Sequence, residues 1–347
     1  MNQSWQKLLH ASGATIHGEY VHHFSNLASE LIVARDSTII CPLVHLGLIG
    51  CKGQDAKSFL HSQLTSDVNQ LVMGCAQHAS WCTAKGRMLA NFLLFQESGD
   101  YRILLSIDLL KTILERLKIY VFRSNLTLEN LDHQYVFLGL SGKHATEVLE
   151  KTSWSIPAQQ MEIKYQSEGA VIRLERSRFI LMLKEEAIDE QWKALSRLAI
   201  PAGTPAWFWL DIQAGTPLIN KNTSEAFVPQ MLDFNKIGGV SFKKGCYPGQ
   251  EVIARTRYLG KIGRHLYRLK MNGCAAPGAH IYPKEESAEQ SCGMIVSNAP
   301  SPSEGYEALA VIQGDFVDTG NLAQRFIIDS PQKIEIVHVE RVHNQEI

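Results

Sequence analysis

Apolar positions along this chain follow two periods. Alternating or continuous apolar runs at 76–83, 88–95 and 101–107, and at LTLENL, QYVFLGL, GAVIRLE and RFILMLK, each predict a strand. Residues 29 to 52 read as three more short β-rich pieces, SELIVAR, STIICP and VHLGLIGCKG, broken at Asp36-Ser37 and Cys41-Pro42. Between these runs the period lengthens. Gln54–Leu60 puts Ala56, Phe59 and Leu60 on one helical face, and 108–122 carries a stripe of Leu109, Ile113, Leu117 and Tyr120 behind an Asp108 N-cap. GKHATEVLEK and 185–199 predict two further helices. Strands in pairs separated by helices imply an α+β fold, arranged as two ferredoxin-like halves. Past residue 260 the helical period fades. RHLYRLK, AHIYP, CGMIVSN, YEALAVI and KIEIVHV predict an all-β terminal domain, a small barrel, with NAPSPSE (298–304) as a surface loop.

Composition narrows the class. With 347 residues, 45% hydrophobic and 20% charged, the chain is too apolar to be disordered and long enough for two or three cores. The net charge of -1 leaves attraction to anions to local patches. The first 20 residues lack the basic and apolar regions of a signal peptide, and no apolar run reaches the roughly 18–20 residues of a membrane span. These features predict a cytoplasmic protein without membrane contact. Seven cysteines, an odd number with no Cys-x-x-Cys pair, argue against a disulfide framework, a zinc ribbon or a stably held cluster. The histidines show no metal-ligand spacing.

Candidate chemistry concentrates late in the chain. Between Ser241 and Lys270 stand eight Lys or Arg residues and one acid, Glu251. Lys243-Lys244 precede Gly245-Cys246, and Pro248-Gly249 marks a turn, so Cys246 is expected in a tight loop flanked by cations. Nearby ammonium groups would favour its thiolate. By spacing alone Cys246 reads equally as a structural turn cysteine. The cations read most simply as a solvated face, but their one-sided sign asks for an anion. Sparse aromatics (Tyr247, Tyr258, Tyr267) weaken a nucleic-acid reading. Lys85 reads as a solvated strand-end lysine or an anion contact, Asp67 as a turn cap, and Trp207 and Trp209 as core.

Here the residues resemble a known family. Lys244-Gly245-Cys246-Tyr247-Pro248-Gly249-Gln250-Glu251 matches every defined position of the K-G-C-Y-x-G-Q-E signature of the YgfZ family. Phe227-Val228-Pro229-Gln230 matches its F-I-P-Q element, and Cys82–Met88 its C-x-A-K-G-K-M element with Arg87 for the second Lys. Gly53–Ala56 and Gln63–Asn69 resemble its G-x-D-A and Q-x-T-x-D-V-N run. Asp211–Pro217 resembles R-x-E-A-G-x-P, departing at Asp211 and Gln213.

The resemblance implies a fold like the T-protein of the glycine cleavage system, a folate-binding α+β fold with ferredoxin-like subdomains and a C-terminal β-barrel. On this chain it implies residues 1–240 as the folate-binding α+β region, 241–262 as the signature loop and connection, and 263–347 as the barrel. It further implies tetrahydrofolate or a derivative as ligand. The implied role is accessory, in the synthesis, maintenance or repair of iron–sulfur enzymes, including those of tRNA thiolation, with client or assembly proteins as partners. Cys246 takes the reacting position. The ligand contacts expected are Lys243, Lys244, Tyr247, Gln250, Glu251, Arg255, Arg257, Gln230, Lys85 and Asn91, with Arg255 and Arg257 holding a glutamate tail. Two alternatives stand beside this. A folate-dependent aminomethyltransferase resembles G-G-I-x-D-D where this chain has Gly86–Asn91, and its aspartates are replaced by Ala90 and Asn91, which cannot exchange a proton as a carboxylate does. An RNA-binding module using the basic segment predicts steep salt dependence.

Overall fold

The computed structural model describes residues 3–18, 20–258, 263–284, 290–317, 326–329 and 334–342. The chain forms two compact units. The first holds Met1–Phe59, Val68–Gln77 and Phe92–Trp207, and the second Leu60–Asp67, His78–Asn91 and Phe208–Ile347.

The first unit begins with α1 (Gln3–Ala11), the hairpin of β1 (Thr15–His17) and β2 (Tyr20–His23), α2 (Leu27–Asp36), β3 (Thr38–Pro42), β4 (Leu46–Lys52) and most of the first turn of α3 (Ala56–Gln63). After β5 (Ala76–Cys82) and β6 (Met88–Glu97), whose spans the unit boundaries cut, come β7 (Asp100–Ser106), α4 (Ile107–Val121), β8 (Thr127–Asn130), β9 (Tyr135–Gly142) and α5 (Ala145–Lys151). Then follow β10 (Ile163–Gln166), β11 (Gly169–Glu175), β12 (Arg178–Lys184), α6 (Ile188–Leu195), β13 (Ile200–Pro201) and the start of α7 (Thr204–Ala214). Six strands form one sheet in the order β10-β11-β12-β9-β3-β13. β12 pairs antiparallel with β9 from Arg178↔Ser141 to Lys184↔Tyr135. Alternate residues Val136, Leu138 and Leu140 of β9 and Phe179, Leu181 and Leu183 of β12 share one core with Trp5, Leu149 and Trp192 from the helices, as the pleat requires. In a second sheet β7 lies between β6 and β4, and β8 borders β4.

The predicted strand SELIVAR is a helix, α2. Asn26 has extended backbone and its side chain accepts from the Ser29 N–H at 3.2 Å, a normal N-cap. The residues buried behind it, Glu30, Leu31 and Ala34, have helical spacing. Glu30 is 1% exposed, and its carboxylate accepts from the N–H groups of Phe24, Ser25 and Gly203 at 2.7–2.8 Å. The short apolar run hid a helix because its acidic residue, Glu30, faces inward to backbone donors. The helix expected over 108–122 is α4, but its N-cap is Ser106, whose hydroxyl donates to Asp108 Oδ1 at 2.7 Å. The stripe of Leu109, Ile113 and Leu117 is buried, while Tyr120 is exposed.

The second unit contains the turn between β5 and β6, the end of α7, α8 (Gln250–Tyr258) and a closed barrel. The barrel strands β14 (Arg264–Met271), β15 (His280–Pro283), β16 (Gly293–Pro300), β17 (Tyr306–Gln313), β18 (Phe326–Ile328) and β19 (Ile334–Arg341) close in the order β14-β17-β16-β15-β18-β19. Leu269, Ile295, Ala310, Phe326 and Ile336 fill its centre. Strand β16 takes the first residues of the expected 298–304 loop, through Pro300, and β18 lies where no strand was expected. The span 241–262, expected as the signature loop and connection, includes a helix. Within it α8 places Ile253 in the core and carries Glu251 in its first turn and Arg255 and Arg257 in its last, charges that suit the helix dipole.

Candidate functional site

All eleven expected site residues lie in the second unit. The site is built on two glycine turns set backbone to backbone. Thr83 N–H donates to Arg87 O at 2.8 Å to close the β5–β6 turn, which Gly86 enters at φ +73°. Gly249 ends the Tyr247-Pro248-Gly249 turn at φ +83°, and a Cβ there would lie 2.5 Å from Thr83 O and 2.7 Å from Gly86 Cα. This contact joins the turn bearing Lys85, which is exposed, to the N-terminus of α8. The Phe227–Gln230 element runs beside β6. Met88 N–H donates to Phe227 O at 2.8 Å, and Arg87 Nη1 to Ala226 O at 2.5 Å.

The signature loop alternates inward and outward. Lys243, Gly245 and Cys246 are exposed, whereas Lys244 and Tyr247 are buried. The Lys244 ammonium is not part of an exposed patch. It donates to the carbonyl oxygens of His61 and, at 2.5 Å, Leu64, and lies 4.9 Å from the centre of the Tyr247 ring. Burial pushes its pKa down to about 8, against the attraction of the Asp67 carboxylate, and burial pushes the Tyr247 hydroxyl up. Of the two lysines expected to flank Cys246, Lys243 faces outward with it and Lys244 faces inward. Of the other basic residues in the run, Arg264 donates to Ser291 O and Arg268 bonds Gln213 and Glu340. Arg255, Arg257 and Lys270 are exposed, Arg257 stacking 4.1 Å over the Phe242 ring. Lys261 lies outside the described residues.

The remaining expected contacts divide. Gln230 is 1% exposed; its Nε2 donates to Ile253 O at 2.6 Å, and its Oε1 has no donor among the described residues. A buried acceptor without a donor is where a ligand or water N–H or O–H fits. Asn91 uses both ends of its amide internally, donating to Pro217 O at 2.8 Å and accepting from Ile219 N–H at 2.7 Å. Gln250 makes a long 3.4 Å contact to Lys244 O, and Glu251 is exposed in the first turn of α8. Cys246 and Cys274 are the exposed thiols among the described residues. Among the described residues no group of three or more His, Cys, Asp or Glu could hold a metal ion, and no helix is long and apolar enough to cross a membrane.

Two features escaped the sequence. Helix α8 was signalled by Glu251 in its first turn and arginines in its last, behind a Pro-Gly turn. The second is a polar chain in which Trp209 Nε1 and Gln213 Nε2 donate to the two oxygens of buried Glu307 at 3.1 and 2.8 Å, while Gln213 Oε1 accepts from Arg268 at 2.9 Å. No local signal marks it, because its members are about 50–100 residues apart in sequence.

Residues 7–229 match the family described as GCVT N-terminal domain. The "tRNA-modifying protein YgfZ" of Escherichia coli O127:H6 is 30% identical over 65% of this chain and 70% of its own length. That of Colwellia psychrerythraea is 30% identical over 67% and 71%. That of Hamiltonella defensa is 28% identical over 78% and 82%. Among solved structures, the glycine cleavage system aminomethyltransferase T of Bartonella henselae superposes with a TM-score of 0.80 at 16% identity, over 98% of this chain and 96% of that one, a likeness of fold. With the signature residues gathered on one loop, one turn and one helix of this fold, the chain belongs to the YgfZ family, built on the GCVT N-terminal domain.

Proposed function

We propose that this protein binds a tetrahydrofolate and acts as an accessory factor for iron–sulfur enzymes, including those that thiolate tRNA. Its relatives carry the name tRNA-modifying protein, which supports the tRNA connection. The observation that carries the ligand reading is the continuous loop-to-helix run in which exposed Lys243, Arg255 and Arg257 accompany exposed Cys246, with the Lys85 turn packed against it at Gly249. Guanidinium forks suit the carboxylates of a glutamate tail. Gln230 Oε1, without a donor among the described residues, suits an N–H of the folate's ring system. A bound tetrahydrofolate would supply a carrier for a one-carbon unit. The chain's own part is to hold the anionic tail, accept from the ring and present a thiol at Cys246. Lys244, Tyr247 and Asn91 support the loop and strand from behind, with Gln250 and Glu251 at the start of α8.

The aminomethyltransferase reading is disfavoured. At the position of the T-protein acid stands Asn91, whose amide is engaged at both ends by backbone. An amide so held neither ionises nor swings to a substrate.

Titration calorimetry with tetrahydrofolate tests the proposal. Wild type is expected to bind, Cys246→Ala to bind as well, and the pair Arg255→Ala/Arg257→Ala to bind more weakly, by about 1.5–3 kcal/mol per lost charge-assisted contact. No binding by wild type would reject the folate reading and move the cysteine loop's role to a protein or RNA partner.

A further inference from the structure

We propose that Lys244 is a positioning residue whose ammonium clamps the Gly245–Cys246 step to the end of α3 and so fixes where the Cys246 thiol stands. This goes beyond folate binding and does not depend on it.

The geometry is specific to this lysine. Lys244 is 8% exposed, whereas its neighbour Lys243 is exposed. Removing an ammonium from water is costly unless its donors are matched. Here two of its three donors are matched by carbonyls rather than by a carboxylate: His61 O lies in the last turn of α3 and Leu64 O one residue beyond the helix. The C-terminal carbonyls of a helix have no intrahelical donors and carry the negative end of its dipole, so a cation there serves both needs. The Tyr247 ring, 7% exposed, packs against the ammonium, 4.9 Å from its centre. A second tie lies just upstream, where Ser241 N–H donates to Thr65 O at 2.9 Å. Two buried side chains, Lys244 and Tyr247, thus bracket two exposed residues, and the space that a Gly245 Cβ would enter is open. The loop is held on both sides and free at its tip, which carries the thiol.

Other titratable groups near the ammonium are Asp67 and His61, which are 3.2 Å apart, Tyr247, and Cys82 behind Tyr247. Burial pushes the Cys82 thiol up to about 12 and raises Tyr247, so both remain neutral beside the ammonium.

The test is a nitroxide spin label on Cys246 in a Cys75→Ser/Cys274→Ser background, read by electron paramagnetic resonance. With Lys244 the spectrum is expected to show a slow component. Lys244→Met is expected to lose it, and Lys244→Arg, which keeps charge and donors, to restore it. A label on Cys274, with Cys75 and Cys246 replaced by serine, is expected to be the same with Lys244 and with Lys244→Met, which separates loop positioning from general loosening. An unchanged Cys246 spectrum in Lys244→Met overturns the proposal, as does an equal change at Cys274. Should Lys244→Met fail to fold, Lys244→Gln decides: with an amide in place of the ammonium the Cys246 label is expected to gain mobility while the Cys274 label does not, and an unchanged Cys246 spectrum overturns the proposal. Calorimetry fails separately, because a protein that binds no folate still gives these spectra.

Discussion

At the scale of single residues, the departure of this chain from the R-x-E-A-G-x-P pattern has a physical cause in a residue far away. Gln213 stands in the place of the family's Glu, and its Nε2 lies 2.8 Å from a carboxylate oxygen of Glu307, itself 5% exposed. A glutamate there would set two carboxylates against each other and remove a donor. Arg268, which bonds Gln213 Oε1 at 2.9 Å, would offset part of the repulsion. Gln213→Glu is therefore expected to destabilise the fold by about 1–3 kcal/mol at neutral pH. The difference from wild type should shrink on acidification, as one carboxyl of the pair takes up a proton. Urea unfolding of both proteins across pH checks this, and a constant difference would contradict it. Cys246 was legible in the sequence as a loop cysteine beside Gly245. The inward turn of Lys244 was not, because two adjacent lysines look alike until a pair of carbonyls selects one of them.

At the scale of elements, the contact between the two glycine turns positions α8. Gly249 is at φ +83°, and Thr83 O would lie 2.5 Å from a Cβ at that position. Gly249→Ala is expected to destabilise by at least ~1–3 kcal/mol through backbone strain, with the clash adding to it. Gly245→Ala, with no heavy atom of the described residues within 4 Å of the added carbon, is expected to stay within about 0.5 kcal/mol of wild type. Chemical denaturation distinguishes the two, and equal effects would mean that the turn contact does not support the site. The Pro248-Gly249 turn was readable from composition, since glycine supplies positive φ without a Cβ. The helix that follows it is not legible in the apolar pattern of the sequence, because its buried face is short and centred on Ile253. The same limit applied to α2. Its inward face includes Glu30, and a buried acid satisfied by backbone N–H groups breaks the rule that apolar spacing reports burial.

At the scale of the whole molecule, pH acts on buried histidines. Burial pushes His45, 2% exposed, down to about 3, and His78, which keeps some solvent contact, down to about 4. A base with a depressed folded-state pKa costs nothing above its unfolded value. Below that value the unfolded chain binds a proton that the folded chain refuses. Stability is thus expected to be insensitive to His45 above pH ~6.5 and to fall by about 1.4 kcal/mol per pH unit below it, until about 3, with a smaller addition from His78. Denaturation midpoints from neutral to acid pH test this, and His45→Gln is expected to flatten the slope. The sequence by itself determined the α+β class, the terminal β-barrel, the membership carried by the Lys244–Glu251 signature and the candidate residues, because apolar period and turn chemistry are local properties of the chain. Only the tertiary structure decided which side chains work inward: Lys244 on the end of α3, Asn91 on the 217–219 backbone and Gln213 between Glu307 and Arg268. The reason is that each of these partners is distant in sequence, so the direction of a polar side chain is set by packing that no local pattern encodes.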